Sequence, residues 1–291
     1  MDALHAKYDT HTGEIVVGDH EWGHLQLDAT SLFLLMLAQM TASGLRIVFT
    51  IDKVNFVQNL VHYIARTYRT PDYGIWERGN KSNHGVAELN ASSVGMAKAA
   101  LEAMSGFNLF GPDGGQSSKI HVLSDEIARS RIALEALLPR ESISKEVDSA
   151  VLSVIGYPAF AVDDLDLLQK TEQLICEKLE GKYGCKRFLR DGHQVVIEDS
   201  HRMFYEAHEL KQFMDIECEW PLFFSYLLLN KLFAGDTDKA RDYRNKLKGL
   251  LVEQNGQQLL PELYLVPEDK LAAERKNPHS QDRVPNENVP L

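Results

Sequence analysis

An all-α protein, with an inner ring of helices shielded by an outer one, is what this 291-residue sequence predicts, and three observations predict it. Apolar residues recur at three- and four-residue intervals along seven stretches. Several of these stretches are apolar on most of their circumference, as a helix enclosed by others is, whereas the rest keep one apolar stripe. Convincing strands are almost absent: "EIVVG" and "QVVIE" are short β-branched runs suited at most to pairing at loop tips.

The first helix is predicted after Thr30 and Ser31, which serve as caps, and carries Leu34, Leu35, Leu37 and Ala38 before Gly44 ends it. The second starts at Asp52, with Val54, Val57, Val61, Ile64, Ala65 and Tyr68 at helical spacing. Ser92 or Ser93 opens the alanine-rich "VGMAKAALEAM", closed by Gly106. Ser124 opens "DEIARSRIALEALL", which Pro139 stops. Leu165–Leu179 repeats the pattern and ends at Gly181. Pro221 sits in the first turn of "PLFFSYLLLNKLF". Gly235 and Asp236 then lead into "DKARDYRNKLKGLL". Three long connections, at 69–91, 107–123 and 181–219, are polar and rich in aromatic residues, the places where a helical scaffold usually carries function. Residues 1–266 read as one domain. The polar segment 267–291 reads as a loose tail.

The formal net charge of −11 argues against a general nucleic-acid binder. Three widely spaced cysteines, Cys176, Cys185 and Cys218, suggest neither a disulfide framework nor a zinc site, so a reducing cytoplasm is expected. "MDALHAKYDT" lacks a signal-peptide pattern, and the apolar run in "SLFLLMLAQM" is far short of the roughly 20 residues that span a bilayer. "GPDGG" lacks the Lys-Ser/Thr of a phosphate loop, and no set of protein-kinase motifs is present. No cofactor is expected.

Four stretches set carboxylates or amides beside aromatic residues: Trp22, His24, Gln26 and Asp28; Trp76, Glu77, Arg78, Asn80 and Asn83; Glu217, Glu219 and Trp220; and Glu262 with Tyr264. Pyranose rings stack on aromatic faces, and two separated carboxylates suit acid–base work on a glycosidic bond. Each also has a structural reading. Glu77 pairs with Arg78 or Lys81 in a surface loop, Asp28 caps a helix, Glu262 orients a turn after Pro261, Trp220 anchors a core, and His24 lacks a metal-spaced partner. The basic helix "DKARDYRNKLKGLL" has the composition of a calmodulin target, though Asp238 and Asp242 favour a solvated outer helix.

Taken in order, "GHLQLDATSLFLLMLAQMTASGL", "YGIWERGNKSNHG", "ELNASSVGMAKAALEA", "YGCKRFLRDG", "IECEWPLFF" and "LLPELYLVP" resemble the regulatory alpha and beta subunits of phosphorylase b kinase. "GHLQLDATS" and "IECEWP" are nearer to alpha, "GFNLFG" and "LLPRES" nearer to beta. The resemblance implies a glucoamylase-like domain of glycoside hydrolase family 15, an (α/α)6 barrel, here incomplete at both ends and without its last helix. It implies regulation of a kinase acting in glycogen metabolism rather than enzymatic activity. It also implies a catalytic gamma subunit, other regulatory subunits and calmodulin as partners, and a C-terminal prenyl anchor at the cytoplasmic membrane face. On the hydrolase motifs, Trp76-Glu77 matches the general-acid pair, Glu262 the base, and Gln26 and Asp28 the sugar-contacting helix entrance. Trp76 and Arg78 would complete a glucan site. Two departures stand out. Arg78 replaces a carboxylate and favours ionised Glu77, the wrong state for a general acid. Leu263 stands where the hydrolases have Gln. Residual hydrolysis by Glu77 and Glu262, or glucan binding without hydrolysis, are the alternatives.

Overall fold

The computed structural model describes residues 4–15, 25–76 and 79–286. Nine helices lie among them: α1 Leu27–Ala42, α2 Ile51–Thr67, α3 Ala91–Met104, α4 Ser124–Leu137, α5 Leu152–Ile155, α6 Leu165–Leu179, α7 Leu222–Phe233, α8 Thr237–Gly249 and α9 Leu271–Lys276. Two small antiparallel ribbons pair β1 Val252–Gln254 with β2 Gln257–Leu259, and β3 Tyr264–Leu265 with β4 Val284–Pro285. "QVVIE" forms turns, not a strand, and most of "EIVVG" lies outside the described residues.

Burial separates two helix layers. Every residue of α3 from Ala91 to Leu101 is buried, whereas α4 buries only Ser130 and Leu134, and α8 only Ala240. α1 packs on α3, α3 on α5 and α5 on α7, and each also packs on the helix that follows it. Four hairpins therefore form an arc, with α1, α3, α5 and α7 inside and α2, α4, α6 and α8 outside. Close approach within the inner layer depends on Gly95. A Cβ there would lie 2.2 Å from Cγ1 of Val154 on α5. At the two ends of the arc, Phe33 and Met40 of α1 and Leu232 and Phe233 of α7 remain exposed.

Helix starts depart from expectation where the cap is distant. α1 begins at Leu27, before Thr30 and Ser31, because the Asp72 carboxylate accepts the Leu27 N–H at 3.0 Å. Ser31 instead donates to the Leu27 carbonyl at 2.7 Å. α3 begins at Ala91, with Ser92 and Ser93 inside it, because Glu141 accepts from the Ser92 N–H at 2.9 Å and also from its hydroxyl. Where the cap is local, the boundary follows the sequence. The Asp164 side chain accepts from the Asp166 and Leu167 N–H groups, and α6 begins at Leu165 as expected.

The described part of the polar segment after Pro267, residues 268–286, is docked, where a loose tail is the expectation. Arg283 and Glu274 are buried there. The Arg283 Nε lies 3.1 Å from the Glu219 carboxylate, and its Nη2 lies 3.6 Å from that of Glu274. A buried guanidinium with two carboxylate neighbours holds a polar strand where apolar burial would not.

Candidate functional site

The N-termini of α1 and α3 meet at Asp72. Its carboxylate accepts from the Leu27 N–H, from the Asn90 amide at 2.8 Å and from the Ser93 hydroxyl at 2.6 Å. Burial pushes Asp72 upward in pKa, and those donors pull it back. One carboxylate thus satisfies an orphan N–H of α1, holds two side chains at the start of α3 and fixes the loop that follows it.

That loop leads to Trp76. The Gln26 side-chain amide donates to the Gly74 and Ile75 carbonyls at 2.9 and 3.1 Å, and the Tyr73 N–H donates to the Leu25 carbonyl. Gly74 adopts φ +69°, and a Cβ there would meet the Asn90 side chain at 3.0 Å. The Trp76 indole N–H donates to both carboxylate oxygens of buried Asp148 at 3.1 Å. Its ring lies 6.3 Å from Trp220 and 6.0 Å from Phe223.

The Arg187 guanidinium lies 4.9 Å from the Trp76 ring and 5.2 Å from that of Trp220, a doubled cation–π contact. Asp191 accepts from it twice, at 2.6 and 2.8 Å. His193 stacks on Trp220 at 6.0 Å. Beyond it the Asn286 amide donates to Glu262 at 3.0 Å and to Gln194 at 3.4 Å. Trp76 and Glu262 therefore belong to one contiguous wall, joined through Trp220, His193 and Gln194. Glu77 and Arg78, like Trp22 and His24, lie outside the described residues.

Asp28 is not the N-cap expected of it. It occupies the first turn of α1, buried, with its Oδ1 unpartnered. Burial and then the charge of Asp72 push its pKa up to about 7. Burial also raises Asp148, partly offset by the Ala150 N–H, the Trp76 indole, Lys145 and Arg187. It raises Glu141 as well, with repulsion from Asp148 added.

Several stretches singled out for sugar chemistry do structural work. Glu217 accepts from Lys186 at 2.8 Å and from the Arg190 N–H at 2.7 Å. Glu219 accepts from the Tyr183 N–H, and the Tyr264 hydroxyl donates to the Leu250 carbonyl. Trp220 is a core residue, as its structural reading held. Asp72, Asp148, Glu141 and Arg187 escape sequence reasoning. Only the recurrence of charged residues in apolar surroundings, as in "CKRFLRDG" and "EVDSA", marks them. Among the described residues no group of three His, Cys, Asp or Glu side chains is arranged to hold a metal, and no helix is long and apolar enough to cross a membrane.

Comparison with known proteins places this geometry. Over 290 residues the chain is 58% identical to "Phosphorylase b kinase regulatory subunit alpha, skeletal muscle isoform" of Oryctolagus cuniculus, covering 99% of this chain and 23% of that protein. Over 283 residues it is 56% identical to "Probable phosphorylase b kinase regulatory subunit alpha" of Drosophila melanogaster, covering 97% and 23%. The chain thus spans about a quarter of the length of these curated relatives. Among solved structures, a wild-type glycosidase superposes with a TM-score of 0.60 at 19% identity, over 92% of this chain and 64% of that one. A glutamate-to-alanine glycosidase variant in complex with glucose superposes equally well. The fold is the expected six-hairpin α/α toroid, of which the described residues form the four-hairpin arc. The model of glycosyl hydrolases family 15 matches residues 1–288, and the chain belongs to that family.

Proposed function

We propose that this chain is the glucoamylase-like part of a phosphorylase kinase regulatory subunit of the alpha type, acting on the kinase that activates glycogen phosphorylase and not as an enzyme itself. The observation that carries the reading is 58% identity along 99% of the chain to a protein named as such a subunit. The site supports it. Gln26 is committed to the Gly74 and Ile75 carbonyls, Trp76 to Asp148, and Glu262 to Asn286, so each of these groups is already held by another part of the chain. Arg187 lies over Trp76, the ring on which a sugar would stack.

On this reading the partners are a catalytic gamma subunit, the other regulatory subunits and calmodulin. The location is the cytoplasm, with a prenyl anchor on the full-length polypeptide holding it at the membrane face. By the motif match, Gln26, Asp28, Trp76 and Arg78 correspond to the oligosaccharide-contacting positions of the hydrolases, with Glu77 and Glu262 as vestiges of the acid and base. The test is co-expression of the full-length gene product with a kinase catalytic subunit and calmodulin. Co-purification of all three, with no glucose released from maltotriose, is expected. Failure to co-purify, or glucose release that Glu77→Gln abolishes, would overturn the reading.

A further inference from the structure

The tip of the β1–β2 hairpin is Asn255-Gly256. Both residues take positive φ, +54° and +77°, as a two-residue turn between right-twisted strands requires. Asn tolerates this conformation and Gly adopts it freely, so the turn by itself accounts for the dipeptide. The same dipeptide carries a chemistry of its own, because asparagine is a thermolabile residue. The backbone nitrogen of the following residue attacks the side-chain amide, closes a five-membered imide and expels ammonia. That attack needs a side-chain amide that is not held, a following N–H that is not hydrogen-bonded, and no side chain in the way.

Asn255 meets all three conditions. It is exposed, and neither its side chain nor the Gly256 N–H makes a hydrogen bond among the described residues. Gln254 and Gln257 close the turn as a pair, which leaves the Gly256 N–H outside the ladder. Even a Cβ placed on Gly256 would stand in open space, so nothing crowds the ring as it forms. Other asparagines fail at least one condition. Asn83, Asn90, Asn108, Asn230 and Asn286 donate their side-chain amides in hydrogen bonds. Asn55, Asn59 and Asn245 stand within α2 and α8, where the following N–H is spent on the helix. Asn277 precedes Pro278, which has no N–H.

We propose that Asn255 is a site at which this chain modifies itself by deamidation through a cyclic imide. The Gly256 nitrogen, its proton taken by solvent base, bonds to Cγ of Asn255, and the Cγ–Nδ2 bond breaks as ammonia leaves. Water then opens the imide. Cleavage between Cγ and the Gly256 nitrogen gives aspartate. Cleavage at the backbone carbonyl gives isoaspartate, whose main chain runs through the former side chain and is one atom longer. One amide and one water thus become one acid and one ammonia, with no oxidant or reductant. Either product adds a negative charge to a chain already at −11. Isoaspartate also lengthens the turn that sets Val252 opposite Leu259, and so disturbs the register of the hairpin leading to Pro261 and Glu262.

The test is incubation of the 291-residue chain at physiological temperature and mildly alkaline pH, followed by tryptic mass spectrometry over time. The peptide of Asn255 is expected to gain the mass difference of an acid over an amide, roughly tenfold faster or more than the peptide of Asn55 and Asn59. The product should accept a methyl group from an isoaspartate-specific methyltransferase. The rate should fall on acidification, because the attacking nitrogen must lose its proton. Asn255→Gln, which would need a six-membered ring, should stay unmodified over the same interval. The proposal is overturned if the Asn55 and Asn59 peptide converts first, or if the mass gain appears without isoaspartate. It is equally overturned if Asn255 is intact in the chain after a synthetic Glu253–Gln258 peptide has fully converted.

Discussion

Asp28 is a buried acid whose chemistry follows from its position. Its carboxyl, raised from an ordinary 3.8 to about 7, keeps its proton in the folded chain across a pH range where the unfolded chain releases it. The folded state therefore binds more protons between those values, and stability falls as pH rises through that window and then levels off. Asp28→Asn removes the ionisation. The variant is expected to match the wild type near pH 4 and to exceed it by on the order of 4 kcal/mol at pH 8, read by urea denaturation at each pH. An unchanged pH slope in the variant would show that Asp28 ionises freely. Trp76 carries a related dependence. Trp76→Phe keeps an aromatic ring, smaller than the indole, and deletes the donor to Asp148, so a loss of at least about 1–3 kcal/mol is expected from the buried carboxylate left short of a partner.

At the scale of elements, α3 is the axis of the arc, and its contact with α5 rests on one missing side chain. Gly95→Ala would raise intrinsic helix propensity by about 1 kcal/mol. It would also drive a methyl group to 2.2 Å from Val154. Overpacking of a buried site costs about 1–3 kcal/mol, so the net outcome expected is destabilisation. Val154→Ala in the same chain should recover most of the loss. A double-mutant cycle on thermal or urea midpoints reads the coupling, and strict additivity would show that the two helices do not meet there. The same element explains the buried Lys98. Its ammonium reaches Glu102 at 2.9 Å and Asp163 at 3.5 Å, and Arg131 of α4 joins both acids, so the charge sits in a four-member network instead of standing alone.

Across the whole molecule, the segment 268–286 ties the end of the described chain to the centre. β4 pairs with β3, Arg283 meets Glu219 and Glu274, and Asn286 reaches Glu262. Removing one partner of a buried ion pair leaves the other charge uncompensated, at a cost of about 3–5 kcal/mol. Arg283→Ala is therefore expected to lose that much stability, with faster hydrogen exchange over 268–286 than over α3. Uniform exchange in the variant would mean the segment is not held by Arg283.

Local spacing was enough for every long helix and for the two-layer plan, because apolar period and cap chemistry act within four residues of chain. α6 starts where Asp164 says it should, since its cap is adjacent. α1 and α3 start earlier than their serines and threonines suggest, because their caps are Asp72 and Glu141, 45 and 49 residues away. The motif resemblance singled out Trp76 and Glu262, and tertiary contacts gave them their present partners, Asp148 and Asn286. Tertiary structure also decided that Asp28 is buried instead of capping, that Arg187 lies over the two tryptophans, and that a polar tail is docked. Each of these depends on which distant charges share a low-dielectric interior, and burial and pairing at that range leave no period in the sequence.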